Sequence, residues 1–540
     1  MKKAILICDN DINSVKNYEI VFSLGELIKL ELESINIDSI NIYDIKIPVQ
    51  NSNIQSNIEK FLELESKMSG KTKWINLTIQ HVLWRYIYYY QFKQRFNHLI
   101  KTYNIGDFVL SSSSNSYLLQ GLEAACFKNQ INFKVMEGNS VFTSSILPLT
   151  ATFDIPFNQN YFEAFISKIF SLLYRLKNTK IFYENNNYIN LDGSKFSWRR
   201  SVSFLGIYLP KFIENHKKSI IDLDHNQKEK AIFQLEKNLW EGYDNFDLKI
   251  ISSTLDDFFE KYDPKYLDNL FKSLFSFFKI SNAKKIILNS DNTCSSRFLS
   301  YAAKKAGLET WFLPHGVMQN YQYLETTSEF GVDKILTWNQ PEADYLLNKG
   351  KNAINFQCPI QLTLPKVKKN YDKKNLSKLN ILVLMPEWVG LNLKCRPDCF
   401  ENDFFTIHNS LINLGVNHVY LKYHNATIDI MLKKKVEAIK RLSLLSKINL
   451  KVIDPEKKTI DLISDFDLVI VGATTGIIEL ALSSTPFIIF RGFLEDFTLL
   501  NNYNLPSAES DKGLVELIRN YDFINLDKEC LKLYASLESQ

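Results

Sequence analysis

Short apolar runs separated by polar turns recur along this chain with the spacing of alternating strands and helices. Runs at 3–8, 40–45, 108–110 and 132–136, rich in β-branched residues, predict strands. Helical periodicity at 18–32, 54–68, 74–103 and through Cys126 predicts the helices between them. From about 140 to 243 the pattern is irregular, with helical runs at 162–176 and 228–239 and a Trp198-Arg199-Arg200 cluster. This stretch reads as an insertion covering the edge of a sheet. One long amphipathic helix is predicted over 253–278. The earlier theme then returns, with strands at 285–288, 310–313, 332–336 and 354–357 and helices at 295–306 and 340–348. Two units, 108–138 and 285–316, share the order strand, polar turn, helix, strand, glycine turn. They predict successive βαβ units whose C-terminal strand ends open into one crevice.

Residues 365–377 (PKVKKNYDKKNLS) are lysine-rich and lack apolar periodicity, as a linker does. Beyond them strands are predicted at 379–384, 418–421, 450–453, 468–471 and 486–490, and helices at 403–414, 428–446, 460–464, 477–482 and 514–534. The fold class is therefore α/β with two Rossmann-like domains. The N-terminal domain spans 1–364 and carries a helical or irregular insertion at about 140–282. A linker at 365–377 leads to a C-terminal domain at 378–510, and a terminal helix at 511–540 is expected to pack back across the junction.

The stretch 465–492 (DFDLVIVGATTGIIELALSSTPFIIFRG) concentrates the candidate chemistry. A buried strand, a turn of small residues and a helix N-terminus make an anion site: free amides point outward, and small side chains let a phosphate approach. Thr474, Thr475 and Gly476 form that turn. Glu479 sits one helical turn after Thr475, where it can accept hydrogen bonds from ribose hydroxyls. The same residues also suit a plain βαβ unit with a capped helix. Two further strands of this half end in ligand-competent groups, Pro386-Glu387 after one and Lys422, His424 and Asn425 after the other. Parallel strands place all three turns on one edge of the sheet. A cation and an imidazole beside a helix N-terminus suit a diphosphate or an acidic sugar nucleotide.

Composition narrows the classes. At 540 residues the chain holds two or three domains, and its hydrophobic and charged fractions are those of globular proteins. The formal charge of +4 is too balanced for an electrostatic nucleic-acid binder. Seven scattered cysteines imply reduced thiols and a cytoplasmic protein rather than a disulfide scaffold. MKKAILICDN has too short an apolar run for a signal peptide, and no stretch is apolar enough to span a membrane. No Walker-type loop or Gly-x-Ser-x-Gly elbow occurs. The pairs Asp9/Asp11, Asp222/Asp224 and Asp465/Asp467 are of a kind that arises by chance, and the last stands at the wrong end of its strand. No metal and no cofactor are expected. The helix at 74–103 interleaves Trp84, Arg85, Tyr86, Tyr88, Tyr89, Tyr90, Phe92, Lys93 and Arg95. It either packs its rings inward with its cations solvated or lies on a membrane surface.

With its two α/β domains, its Lys-x-His turn and its Thr-Thr-Gly…Glu block, the chain resembles glycosyltransferases of the GT-B architecture. More narrowly, it is similar to bacterial capsule and lipopolysaccharide transferases that use CMP-activated sialic acid or 3-deoxy-octulosonate. Those carry a Lys-x-His-Pro turn and a Ser/Thr pair for the nucleotide and its phosphate, matched here by Lys422, His424, Thr474 and Thr475. Asn425 stands where that family has proline. His315-Gly316 resembles the His-Gly turn of polymer transferases that use CDP-glycerol. The resemblance implies a nucleotide sugar as co-substrate, a glycan acceptor and a base in the N-terminal domain. Glu137, before Gly138, resembles the acidic residue of that role, and a carboxylate within reach can deprotonate an attacking alcohol. His315 and Asp291 are rivals in the equivalent turns of the second unit. It further implies an enzyme on the cytoplasmic side, with any membrane contact peripheral, at the inner face, through the 84–95 helix. Two other readings stand beside it: a sugar-nucleotide epimerase of the same architecture, and a glycan-binding scaffold of an export complex.

Overall fold

In the computed structural model of the protein, the described residues are 1–8, 17–45, 79–111, 116–136, 181–185, 188–191, 243–261, 264–280, 283–288, 294–312, 331–337, 340–348, 350–355, 376–385, 399–422, 448–454, 459–472, 485–491 and 505–521, with a few single positions between them. They form an α/β fold of three hydrogen-bonded sheets.

The first sheet holds β1 (Lys2–Ile7), β2 (Ile20–Ser23), β3 (Ile40–Asn41), β4 (Ile105–Leu110) and β5 (Asn132–Val135). All are parallel, in the order β3-β2-β1-β4-β5. Strand alternation divides β1 between two cores. Ala4, Leu6 and Cys8 join one cluster with Phe92, Phe96 and Leu99, while Ile5 and Ile7 meet Val15 and Leu32 on the other face. The helix expected at 18–32 is instead β2 followed by α1 (Glu26–Ser34). Ile20, Val21 and Phe22 suit the slot beside β1 better than a helix turn, and Gly25, at φ 96°, reverses the chain between them. The helix expected at 54–68 lies outside the described residues.

Two helices cover this sheet, α2 (Ile79–Tyr103) and α3 (Ser116–Asn129), and α4 (Asn245–Lys261) lies on α2. The aromatic helix packs its rings inward: Tyr86, Tyr89, Phe92 and Phe96 are buried. Two of its cations, Lys93 and Arg95, are engaged with protein groups. The Lys93 ammonium donates to Asp244 at 2.5 Å and to Asp247 at 2.7 Å. Arg95 donates to the carbonyls of Ile42 and Ile45 at 2.5 and 3.3 Å, and lies 5.1 Å from the Tyr43 ring. Of the described residues named for a membrane-surface helix, Tyr86, Tyr89, Phe92 and Lys93 are buried, and Arg85, Tyr90 and Arg95 are partly exposed. No helix among the described residues is long and apolar enough to cross a membrane.

The helix expected at 253–278 is two helices, α4 and α5 (Pro264–Ile280). Pro264 has no N–H to give the preceding turn, so it ends one helix and opens the next. The second sheet contains β6 (Ile181–Asn185), β7 (Tyr188–Leu191), β8 (Lys285–Leu288), β9 (Glu309–Phe312), β10 (Lys334–Thr337) and β11 (Ala353–Asn355), in the order β11-β10-β9-β8-β6-β7. Only the β6–β7 hairpin is antiparallel. This hairpin comes from the irregular insertion and occupies the edge of β8. Helices α5 and α6 (Cys294–Ala306) bury the sheet together with Trp74, which stacks on Phe298 at 5.0 Å. Helix α7 (Gln340–Asn348) connects β10 to β11.

The third sheet holds β12 (Asn380–Leu384), β13 (His418–Lys422), β14 (Asn449–Val452), β15 (Leu468–Val471), β16 (Phe487–Phe490) and β17 (Ser507–Ala508). All pair in parallel, in the order β14-β13-β12-β15-β16-β17. Numbered within the domain this is 3-2-1-4-5-6, the doubly wound Rossmann order. Its helices include α8 (Cys399–Asn413), the single-turn α9 (Thr459–Leu462) and α10 (Asp511–Arg519). Helix α10 packs on α8, and Leu514, Ile518 and Tyr521 belong to the core of this same domain. The Tyr521 hydroxyl accepts from the Phe487 N–H at 2.8 Å and donates to its carbonyl at 2.7 Å. The described part of the expected terminal helix is thus fastened within the C-terminal domain, and residues 522–540 lie outside the described residues. Helix α1 of the first unit touches α8 of the third.

Candidate functional site

The C-terminal edge of the third sheet gathers the strand ends from which the candidate turns depart. β12, β13 and β15 are buried along most of their length because each strand lies between two neighbours and under helices. Leu384 is in register with Lys422 on one side and with Val471 on the other. Hydrogen bonds continue one residue past the strands: Met385 N–H donates to the Lys422 carbonyl at 2.9 Å, and Gly472 N–H to the Leu384 carbonyl at 3.0 Å. Strand order reverses between β12 and β15, and in doubly wound sheets the crevice for a ligand opens at the carboxyl ends of such a pair.

Lys422 is the one sequence-derived candidate within the described residues. It ends β13 and is 7% exposed, an environment in which a lysine charge must be engaged, as this one is. Pro386, Glu387, His424, Asn425, Thr474, Thr475, Gly476 and Glu479 lie outside the described residues, but the three segments that carry them follow placed strands. Beyond the threonine turn, Ile477 and Leu480 are helical and buried, one turn apart. Among the described residues, β15 is thus followed within a few positions by helical ones.

Asp467, of the Asp465/Asp467 pair, stands before β15 at the opposite edge. Its carboxylate accepts the Asn380 N–H at 2.8 Å, a sheet-closing bond far from the turn. Among the described residues no three His, Cys, Asp or Glu side chains are grouped as a metal site would need. Cys126 is a buried thiol whose pKa burial pushes up to about 12, which suits packing rather than chemistry.

The three candidate bases lie outside the described residues, but their strands are placed. Glu137 comes after β5, whereas Asp291 and His315 come after the adjacent strands β8 and β9. The two βαβ units expected to open into one crevice belong to different sheets, since β6 takes the edge of β8 and, among the described residues, no ladder joins β5 to β8. Register therefore pairs the strands that precede Asp291 and His315, and the strand that precedes Glu137 belongs to another sheet.

One rim residue escaped the sequence reading. Arg491 succeeds β16 immediately, and its N–H still donates to the Ala508 carbonyl at 2.8 Å. Its Nε is sealed from solvent with no hydrogen-bond partner among the described residues. The signal available was an arginine directly after a buried strand, FIIFRG, at the same edge as the threonine turn.

No known family profile matches the chain, and no curated protein does. Solved structures similar to it include a putative UDP-N-acetylglucosamine 2-epimerase from Listeria monocytogenes, 13% identical over 51% of this chain and 80% of that one, with a TM-score of 0.34. A glycosyltransferase from Rickettsia africae is 16% identical over 54% and 88%, with a TM-score of 0.31. Acinetobacter baumannii MurG is 12% identical over 50% and 73%, also with a TM-score of 0.31.

Proposed function

We propose that the protein is a metal-independent glycosyltransferase of GT-B architecture. It moves a sugar from a nucleotide-activated donor, a CMP-sugar in the first instance, to a cell-surface polysaccharide or lipid-linked acceptor. The observation that supports this reading most is the buried Lys422 at the carboxyl edge of a 3-2-1-4-5-6 sheet, one strand from its switch point. Such an edge suits a nucleotide, and a lysine held there supplies the positive charge that a leaving phosphate needs. In this reading the amides of 474–476, Lys422 and His424 stabilise the leaving phosphate, Pro386, Glu387 and Asn425 line the nucleotide, and Glu479 takes the ribose. A base from the N-terminal half, Glu137, His315 or Asp291, activates the acceptor hydroxyl as it attacks.

His424→Ala or Thr475→Ala is expected to abolish transfer while leaving the thermal transition nearly unchanged. A fully active double variant disposes of the site. The same assay without acceptor tests for epimerisation, which converts the donor with nothing to receive the sugar.

A further inference from the structure

Strand alternation in the third sheet puts two cations on one face of one edge. Tyr420 pairs with Leu382 and Lys422 with Leu384; Leu382 pairs with Val469 and Leu384 with Val471; Val469 pairs with Phe487 and Val471 with Ile489. Paired residues share a face, and the face repeats every second residue, so Lys422, Leu384, Val471 and Ile489 form one row. Arg491 stands two residues after Ile489 on that face. The alternation persists to it, because the N–H groups of both Ile489 and Arg491 bond into β17, to Pro506 and Ala508 at 2.8 Å each. Lys422 and Arg491 thus stand on either side of β12 and β15, separated by three strand spacings, about 14 Å, across the sheet and by two residues, about 7 Å, along it. Both side chains leave the same face at the carboxyl edge, so an anionic ligand lying across that edge is flanked by two cations.

Arg491 has a further peculiarity. It is half-buried, and its Nε is shielded from water while no described group accepts its proton. A guanidinium is rarely left with a shielded donor unused unless something else completes it. A planar fork of donors matches a phosphate or a carboxylate.

We propose that Arg491 completes the donor site by taking a second anionic group of the donor, across the switch point from Lys422, which takes the first phosphate. This rests on the nucleotide-donor reading above. The second anion is either the outer phosphate of a nucleoside diphosphate or the carboxylate of an acidic sugar joined to a nucleoside monophosphate. Both present two oxygens in one plane to the guanidinium.

Calorimetric titration of the full chain, wild-type and Arg491→Met, with CMP, CDP, UMP, UDP and CMP-sialic acid tests this. Wild-type protein is expected to bind a diphosphate, or the carboxylate-bearing donor, at least about tenfold more tightly than the matching monophosphate. Arg491→Met is expected to erase that advantage and leave the monophosphate unchanged, with Arg491→Lys recovering part of it. Loss confined to CDP or UDP identifies a phosphate, and loss confined to CMP-sialic acid identifies the sugar carboxylate. The melting temperature of Arg491→Met is expected to equal or exceed that of wild type, since the variant removes a shielded, unused donor. Equal affinities of variant and wild type for every probe, or an equal loss for monophosphate and diphosphate, overturn the proposal. Failure of the wild-type protein to bind any of the probes overturns the donor reading itself, and the role of Arg491 with it.

Discussion

Lys93 joins α2 to α4 by charge. Its side chain is 6% exposed and meets Asp247, 7% exposed, at 2.7 Å. The second partner, Asp244, is half exposed. Burial opposes ionisation of Asp244, but the Lys93 hydrogen bond and the N–H groups of Asp247 and Phe246 outweigh it and hold the carboxyl below its usual range. With the folded pKa depressed, its contribution is present above about pH 4 and fades as pH falls through the folded value. Lys93→Met keeps the stem and removes the charge, stranding the Asp247 carboxylate in the core. It is expected to lower stability in urea titration by about 3–5 kcal/mol, most of it restored by adding Asp247→Leu. A loss below about 1 kcal/mol would show that water reaches the pair. At this scale the sequence was a partial guide. Lys422 could be found because it ends a recognisable strand, whereas the engagement of Lys93 and the shielding of Arg491 depend on partners or packing up to 154 residues away.

Elements were legible wherever their signal was local. The strands β8 and β15 and the helix α7 lie where periodicity puts them. The misread elements share one cause, which is that helical periodicity tolerates interruptions that the backbone does not. Pro264 divides the long helix, and β2 is drawn into a sheet by β1, a partner that lies outside any window on 18–32. Helix crossing is similarly invisible to local pattern. A Cβ on Gly121 would lie 2.7 Å from the Phe92 Cβ and 3.0 Å from the Lys93 backbone nitrogen, so α3 meets α2 too closely for any side chain there. Intrinsic propensity favours Gly121→Ala by up to about 1 kcal/mol, but overpacking against a backbone costs about 1–3 kcal/mol and wins. The variant is therefore expected to melt lower than wild type. Gly513→Ala is the control: its added Cβ meets ordinary contacts at 3.4 and 3.8 Å, and it is expected to melt higher. If both variants melt higher, propensity rather than packing governs the α2–α3 crossing.

For the whole molecule, the core of the third sheet decides how the chain divides. Every residue of that cluster, from Leu376 to Tyr521, comes from the C-terminal part. A fragment of residues 376–540 is therefore expected to unfold cooperatively on its own, as tracked by circular dichroism. A broad, non-cooperative melt would show that the core needs α1, which touches α8 from the first unit. The sequence by itself determined the fold class and most strand and helix positions, because periods of two and 3.6 residues are written in neighbouring side chains. It also marked residues 422–425 and 472–479 as chemically promising, since hydroxyls, small residues and a cation after a strand are a local signature. Tertiary structure alone decided that the strands divide among three sheets, that β6 rather than β5 borders β8, and that Lys422 and Arg491 share a face around a reversal of strand order. Those facts are hydrogen bonds between segments far apart in the chain, and no local pattern of residues encodes which distant strand a given strand will choose.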